Sequence, residues 1–483
     1  MKKTLSLLIG IALFGCAEKK NAAEADQKHY NILWIVADDL GTDLGCYGNN
    51  IIHTPNLDQL ASESVLYTNL NTVTAVCSPS RSSLITGMYP VTLGVHEHRT
   101  QYKKELPQGI EPVTEYFKEA GYFVTNGKGN PTDKGGKTDY NFEYKASDLY
   151  QAGHWSKRAE GQPFFSQIQI FYPHRPFHND SLNPIDHDSV VLPPYYPDHE
   201  LLRKDWALYL ETIQLVDQKM GEIMDHLKEE GILENTVVFF FGDQGRPHVR
   251  AKQFLYSAGT NTPLMVRWPD GKGAGKMDDR LVSNLDIPVA SMNLAGIQIP
   301  DHIQGRDFLG DHKREYVFTM RDRRDETVDR IRAVRNQKFK YIKNYYPERP
   351  YMQPNVYKDN RYPARPLMRL LYEQGKLNDV QSRFVSDYRP EEELYDLEND
   401  PHEINNLASN PQYMETLETL RAVLEKWVAE NNKGTYPEDQ REIDHAYQLM
   451  MGRRSKMLKD RHYDENVTDQ QMVDYWMKRY QLE

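Results

Sequence analysis

The 483-residue chain carries 59 lysines and arginines against 70 aspartates and glutamates, for a formal net charge of −11, and 39% of its residues are hydrophobic. That acidity excludes a general nucleic-acid binder, which needs a broad basic face. Three cysteines cannot build a disulfide framework, and after the first residues no apolar run is long enough to span a bilayer.

In chain order, Lys2 and Lys3 form a basic n-region ahead of an apolar run from Leu5 to Phe14, the pattern of an export signal. Leu13-Phe14-Gly15-Cys16 resembles a bacterial lipobox, which implies cleavage before Cys16 and lipidation of its thiol; an ordinary secretory signal with an incidental cysteine is the alternative. Residues 1–16 are thus expected to be removed or lipidated and 17–29 to form a tether. The mature protein is expected in the periplasm or on the outer membrane of a Gram-negative bacterium, held to the membrane by lipid.

Asn31 to Ala37 (NILWIVA) is a compact apolar run ending in Asp38-Asp39, the pattern of a buried parallel strand that delivers two carboxylates at its carboxyl end. Thr54-Pro55-Asn56-Leu57-Asp58 opens a helix. Residues Ser82 to Met88 extend a helix from the Cys77 region, which puts Cys77 at a helix N-terminus, where anions are favoured. A helix over Thr114–Ala120 precedes a strand near Val124, a second central strand runs from Pro163 to Phe171 and ends at Pro173-His174, and Leu201 to Glu230 is a long amphipathic helix. Thr236 to Phe241 (TVVFFF) is a buried strand ending at Gly242-Asp243-Gln244-Gly245; Leu264–Trp268 adds another and Asp286 opens a helix.

This alternation predicts an α/β fold: a doubly wound, mostly parallel sheet flanked by helices over residues 30–312. Strand-like runs at Tyr316–Met320, Ile331–Val334 and Phe339–Ile342 then follow one another without long helices between them. They predict a smaller α+β unit with an antiparallel sheet over 313–431, and a helical extension over 432–483. The stretch holding Arg321, Arg323, Arg324, Arg330, Arg332, Arg335, Lys338 and Lys340 is strongly basic. It reads either as a cleft for an anionic ligand or as a solvated strand pair of mixed charge.

The carboxylate pair at 38–39 and the Asp243-Gln244 pair, each at a strand end, form an all-oxygen donor set suited to a hard cation such as Ca²⁺. Adjacent aspartates alone more often cap a helix or sit in a loop. Cys77-Ser78-Pro79-Ser80-Arg81 resembles the signature of type I, formylglycine-dependent sulfatases of the alkaline-phosphatase-like superfamily, and the likeness runs from Asn31 to about Trp427. It implies that a maturation enzyme oxidises Cys77 to formylglycine, whose hydrate attacks sulfur. It also implies that Asp38, Asp39, Asp243, Gln244 and residue 77 hold one Ca²⁺, that Arg81 holds the hydrate, that Lys252 binds sulfate, and that His174 protonates the leaving oxygen. A near-neutral histidine suits that role, although a Pro-His pair also serves as a simple turn.

One departure concerns the family's Gly-Lys-x-His: here Gly127-Lys128-Gly129-Asn130 and Gly136-Lys137-Thr138-Asp139 both lack the histidine. Lys128 or Lys137 is expected on sulfate, with Lys137 preferred, and His96 or His98 could replace the missing base or only line the rim. The implied activity is hydrolysis of sulfate esters on a sulfated oligo- or polysaccharide, such as ulvan or a glycosaminoglycan. The stretch from Val190 to Pro263 resembles the sulfamidase branch, which cleaves N-sulfate. A phosphonate or phosphodiester hydrolase on the same fold, and a non-catalytic sulfoglycan-binding protein, are the rival readings.

Overall fold

The computed structural model describes residues 29–434, 436 and 438–482; the expected signal, tether and Cys16 lie outside them. Among the described residues, eleven strands form two sheets. The larger contains β1 (Asn31–Ala37), β2 (Ser64–Asn71), β3 (Phe123–Gly127), β4 (Phe164–Ile170), β5 (Thr236–Gly242), β6 (Asn261–Arg267) and β7 (Lys276–Ser283), in the order β3-β4-β1-β5-β6-β2-β7. Pairings are parallel except around β6, which runs antiparallel to both β5 and β2, so six of the seven strands share one direction.

β1 is buried along its whole length because both faces of the sheet are covered. Leu33, Ile35 and Ala37 join the core under the long helix Glu200–Glu229, while Ile32, Trp34 and Val36 join the core on the opposite face. There the helices Val113–Glu119 and Asp286–Leu294 cover the sheet, and the indole of Trp34 donates to Ser291 Oγ at 2.8 Å. Phe239 and Phe241 against Val238 and Phe240 repeat this division in β5.

The register positions the site. Ala37 lies opposite Ile170 of β4 and Gly242 of β5, so three neighbouring strands end at one level. The next residues, Asp38-Asp39, Phe171 to His174, and Asp243-Gln244, therefore emerge side by side at the carboxyl edge, where ligands of such sheets bind.

The second sheet, in the order β11-β10-β9-β8, comprises β8 (Val317–Arg321), β9 (Ile331–Arg335), β10 (Phe339–Asn344) and β11 (Glu392–Asp396), all antiparallel. One face packs on the helix Met414–Asn431 through Leu417, Leu420, Leu424 and Trp427. The other face sends Ile331, Ala333 and Ile342 into the main core. The helices Gln440–Asp460 and Asp469–Arg479 complete the described chain.

The basic stretch is mostly internal, which corrects the expectation that it forms an open cationic cleft. Arg321 pairs with Asp329 at 3.1 Å, Arg389 pairs with the same carboxylate at 2.5 Å, Arg332 pairs with Asp322 at 3.1 Å, and Lys340 pairs with Glu403 at 2.8 Å, all buried. Nor is it a solvated strand pair: the charges cross-link the second sheet. Removing one partner of such a network strands the other in a low dielectric. Asp329→Ala, which leaves Arg321 and Arg389 without their shared counter-charge, is expected to cost about 3–5 kcal/mol in a urea titration; a loss under about 1 kcal/mol, the value of an exposed pair, would show that the network does not carry stability.

Candidate active site

Asp38 and Asp39 are fully buried at the end of β1. Asp39 adopts φ 66, a left-handed conformation that aspartate tolerates better than most residues, and its backbone N–H donates to Asp243 Oδ1 at 3.0 Å. Asp38, Asp39 and Asp243 each offer a carboxylate oxygen, the three within 4.8 Å of one another. Three cations face them. Lys137 Nζ lies 2.6 Å from Asp38 Oδ2, Lys252 Nζ lies 2.8 and 2.6 Å from the two oxygens of Asp39, and Arg81 Nε donates to Asp243 Oδ2 at 2.9 Å.

The electrostatics remain strained. Burial raises the carboxyl of Asp38, but Lys137 and then Arg81 outweigh it and hold the group well below the usual range. At Asp243, burial dominates, Arg81 offsets it only partly, and Asp38 adds repulsion, so the carboxyl is pushed up to about 7. Asp38 Oδ1 and Gln244 Oε1 are buried without a hydrogen-bond partner among the described residues. Oxygens bound to a Ca²⁺ at about 2.3–2.6 Å necessarily lie within about 5 Å of each other, and two orphaned oxygens beside three crowded carboxylates are what a hard cation would satisfy. Asp38, Asp39, Asp243 and Gln244 thus fit a divalent ion.

Cys77 opens the helix Cys77–Thr86 and is 1% exposed. Burial raises its thiol pKa, so as a cysteine it is a poor thiolate nucleophile. Its sulfur lies 3.8 Å from His98 Nε2, 3.9 Å from Arg99 Nη2 and within 4.8 Å of an Asp139 oxygen. Asp139 in turn is 3.8 Å from Lys137 Nζ, and Lys137 pairs with Asp38, so residue 77 neighbours the carboxylate cluster by way of Asp139 and Lys137. One turn along the same helix, Ser80 Oγ donates to the Asp243 carbonyl at 2.5 Å and Arg81 Nη1 to Gln169 Oε1 at 2.5 Å.

His174 lies just beyond β4, with Nδ1 2.6 Å from the Arg175 carbonyl and Nε2 3.9 Å from Asp39 Oδ2 and 3.4 Å from the Tyr357 hydroxyl. Burial and then Lys252 push it down to about 4.

Of the predicted residues, Asp38, Asp39, Cys77, Arg81, Lys137, His174, Asp243, Gln244 and Lys252 come together. Lys128 does not: it is exposed on the outer wall of the adjoining cavity, and its backbone N–H is tied to Asp133. Lys137 reaches inward because Gly136 passes so close to Gly127 and Asn126 that a Cβ there would sit 2.4 Å from the Gly127 carbonyl.

His96 also departs from expectation. Its ring contacts Glu97 at 2.7 Å and lies 5.3 Å from that of Tyr436, away from the cluster, whereas His98 faces Cys77 and is held by Asp325 at 3.2 Å. Burial and then Arg99 push His98 down to about 3. Asp139, at the position where the resemblance calls for histidine, is clamped by Arg99 at 2.9 and 2.8 Å. Sequence reasoning missed Gln169, Asp325 and Tyr357, which no motif marks. Cys46 is only partly buried.

Backbone strain marks the same place. Of eight non-glycine residues with positive φ among the described residues, Asp39, Arg99, Asp139, Gln253 and Asp325 are members of this site or next to one. Such conformations cluster where function over-determines the chain.

Comparison with known proteins agrees with this geometry. A sequence model of the family described as Sulfatase matches residues 30–297, and one described as N-sulphoglucosamine sulphohydrolase, C-terminal, matches residues 247–388. An ulvan-active sulfatase of Formosa agariphila is 34% identical over 82% of this chain and 74% of its own length. The human N-sulphoglucosamine sulphohydrolase is 27% identical over 82% of this chain and 89% of its own. Among solved structures, BT4656 in complex with its substrate D-glucosamine-2-N,6-O-disulfate superposes with a TM-score of 0.60 at 18% identity, covering 85% of this chain and 100% of that one, a likeness of fold. A buried carboxylate cluster beside Cys77, on a chain matched by that family over more than half its length, identifies a member of the sulfatase family, whose enzymes hydrolyse sulfuric esters.

Proposed function

We propose that this protein releases sulfate from a sulfated polysaccharide or its oligosaccharides, with Cys77 converted to formylglycine and one Ca²⁺ held by Asp38, Asp39, Asp243, Gln244 and residue 77. The observation that carries the reading is charge balance. Three buried carboxylates already face Arg81, Lys137 and Lys252, so a divalent cation would leave the pocket with an excess positive charge that suits an anionic ester. When bound, the ion would supply Lewis-acid stabilisation of charge on the ester oxygens, and the formylglycine hydrate would supply the nucleophile.

The side chains divide the remaining work. Lys137 and Lys252 orient the sulfate, and Arg81 holds Asp243 against residue 77. With Nδ1 committed to the Arg175 carbonyl, His174 delivers its proton from Nε2 to the departing oxygen. On the other side of residue 77, His98, oriented by Asp325, replaces His96 as the histidine able to exchange a proton there. Lys128 serves at most at the rim.

The ulvan-active relative supports a sulfated algal polysaccharide as substrate, and glycosaminoglycan fragments remain within the same chemistry. The match to the N-sulphoglucosamine sulphohydrolase C-terminal region favours one second reading, cleavage of N-sulfate. The N-terminal residues support export and anchoring through lipidated Cys16, and a formylglycine-generating enzyme is the required partner.

Two experiments test the site. Matured wild-type enzyme, offered defined O- and N-sulfated oligosaccharides alongside a phosphodiester and a phosphonate ester, is expected to release sulfate, and Cys77→Ala is expected to abolish release without lowering the melting temperature. His174→Ala is expected to cost about 10²–10⁴-fold on saccharide sulfates and much less on an aryl sulfate, whose leaving group needs no proton. An active Cys77→Ala variant, or wild-type turnover of the phosphorus esters alone, defeats the proposal.

The second is ion binding. Ca²⁺ at a hundred times its dissociation constant should stabilise the fold by about 2.7 kcal/mol, and Asp39→Asn should remove the effect. Because the ion needs Asp243 as carboxylate and that group sits at about 7, binding below neutrality must expel a proton. Affinity measured by calorimetry should therefore fall as pH drops from 8 to 6; pH-independent affinity would contradict the assignment.

A further inference from the structure

Phe171, the first residue past β4, is 52% exposed, and its ring lies 4.9 Å from that of His174. A large exposed aromatic beside the proposed proton donor is not explained by folding. On this side of His174 opens a cavity of about 520 Å³, within the range of about 300–1,000 Å³ typical of small-ligand sites.

Its outer wall is the helix Gln440–Asp460, part of the C-terminal extension. Met450 and Met457, seven residues apart on one face of that helix, are buried in the wall, at 1% and 8% exposure. That seam holds Arg453 and Lys456 over the cavity, and Arg361, at the end of the helix Val356–Arg361, lines it from below. Arg361 is fixed relative to the site, because its carbonyl accepts from Arg175 Nη1 at 3.0 Å and Arg175 directly follows His174.

Two of the three cations are underused. Among the described residues neither Arg361 nor Arg453 makes an ion pair, and Arg453 only approaches the Met450 sulfur at 3.7 Å. Asp460 is the one carboxylate in the lining, and it pairs with Lys456 at 2.8 Å. Past Arg361 a smaller cavity of about 230 Å³ continues the trough and adds Arg461 and Arg479, again with Asp460 as its one acid. In a protein of net charge −11, such a concentration of unpaired cations beside the reacting centre focuses the field on an anion.

We propose that this cavity is a second-anion subsite, in which Arg361, Arg453 and Lys456 bind a sulfate or carboxylate group on the sugar next to the one carrying the scissile ester, while Phe171 packs against a sugar ring. The proposal rests on the sulfatase reading, in which the alcohol side of the ester leaves toward His174. It makes the C-terminal extension a specificity element and directs the enzyme to charged oligosaccharides over neutral sugars bearing a single sulfate.

The test uses matured full-length enzyme and three substrates: a neutral monosaccharide sulfate, a disaccharide whose neighbouring sugar carries a second sulfate, and one whose neighbouring sugar carries a carboxylate. Arg361→Ala and Arg453→Ala should each raise KM for the doubly charged substrates on the order of tenfold relative to the monosaccharide sulfate, the loss of one charged hydrogen bond. Arg453→Lys should restore most of the difference, and high salt should narrow it. Which disaccharide responds more identifies the second anion as sulfate or carboxylate. Thermal melts verify that the variants fold. Equal changes across all three substrates, or none, overturn the subsite.

Calorimetry of the doubly sulfated disaccharide with Cys77→Ala, with and without Arg453→Ala, separates the two proposals. If wild-type enzyme releases no sulfate but binding weakens without Arg453, the sulfatase reading fails and the subsite stands. If sulfate is released and the second anion confers no preference, the subsite fails alone.

Discussion

Three strands ending at the same level force three carboxylates into one buried space, and the rest of the site is a response to that crowding. The parallel register that puts Ala37 opposite Ile170 and Gly242 leaves Asp38, Asp39 and Asp243 no room to spread. A slip of one residue in β1 would turn its side chains to the opposite faces and disperse the cluster. Uncompensated, each buried carboxylate would cost several kcal/mol. Arg81, Lys137 and Lys252 offset that cost, yet they arrive from three separate segments: the helix after Cys77, the loop after β3 and the loop after β5. The cluster thus cross-links the carboxyl edge of the sheet, and no single loop can shift without exposing an unpaired charge.

Holding those loops requires unfavourable backbone. Five residues at or beside the site take positive φ without being glycine, at roughly 1–3 kcal/mol each. What supports this strain is the two-faced core, in which every residue of β1 and β5 is buried. The site sits at the edge of the most rigid part of the molecule, as a preorganised charge arrangement requires.

β1 and β5 were readable in the sequence because strands covered on both faces are continuously apolar and because aspartates end both runs. β2 and β7 were not, since Ser64–Asn71 mixes polar residues along a pairing with register shifts, and Lys276–Ser283 is a half-exposed edge strand. The three short helices between β10 and β11 were equally hidden. Choosing between Lys128 and Lys137, or between His96 and His98, depends on where a loop crosses the sheet edge, and nothing periodic records that. The basic stretch misled for a related reason. Counting charge along the chain cannot reveal that Arg321 and Arg389, 68 residues apart, share Asp329, so a run that looked available to ligand is consumed by the fold, while unpaired cations line the cavity beside His174, Arg361 from the helix Val356–Arg361 and Arg453 from the C-terminal extension.

The low proton affinity of His174 looks at first like an argument against an acid role, since a histidine at about 4 is neutral at physiological pH. Its causes point the other way. Burial and the Lys252 ammonium depress it, and an anionic ester drawn in by the same lysine offsets part of the positive charge that His174 faces. A unit negative charge about 4 Å away favours the imidazolium by about 4 kcal/mol at the effective dielectric of such sites, while a divalent ion on Asp38 and Asp39 would oppose it, so the ester and the ion together set the proton affinity of His174. Protonation of the histidine is thereby favoured when substrate is in place, and that stabilisation is lost as the ester oxygen takes the proton and departs. A general acid charged by its own substrate is what a pocket crowded with both signs can provide, and a solvent-exposed histidine, whose charge follows the bulk pH, cannot.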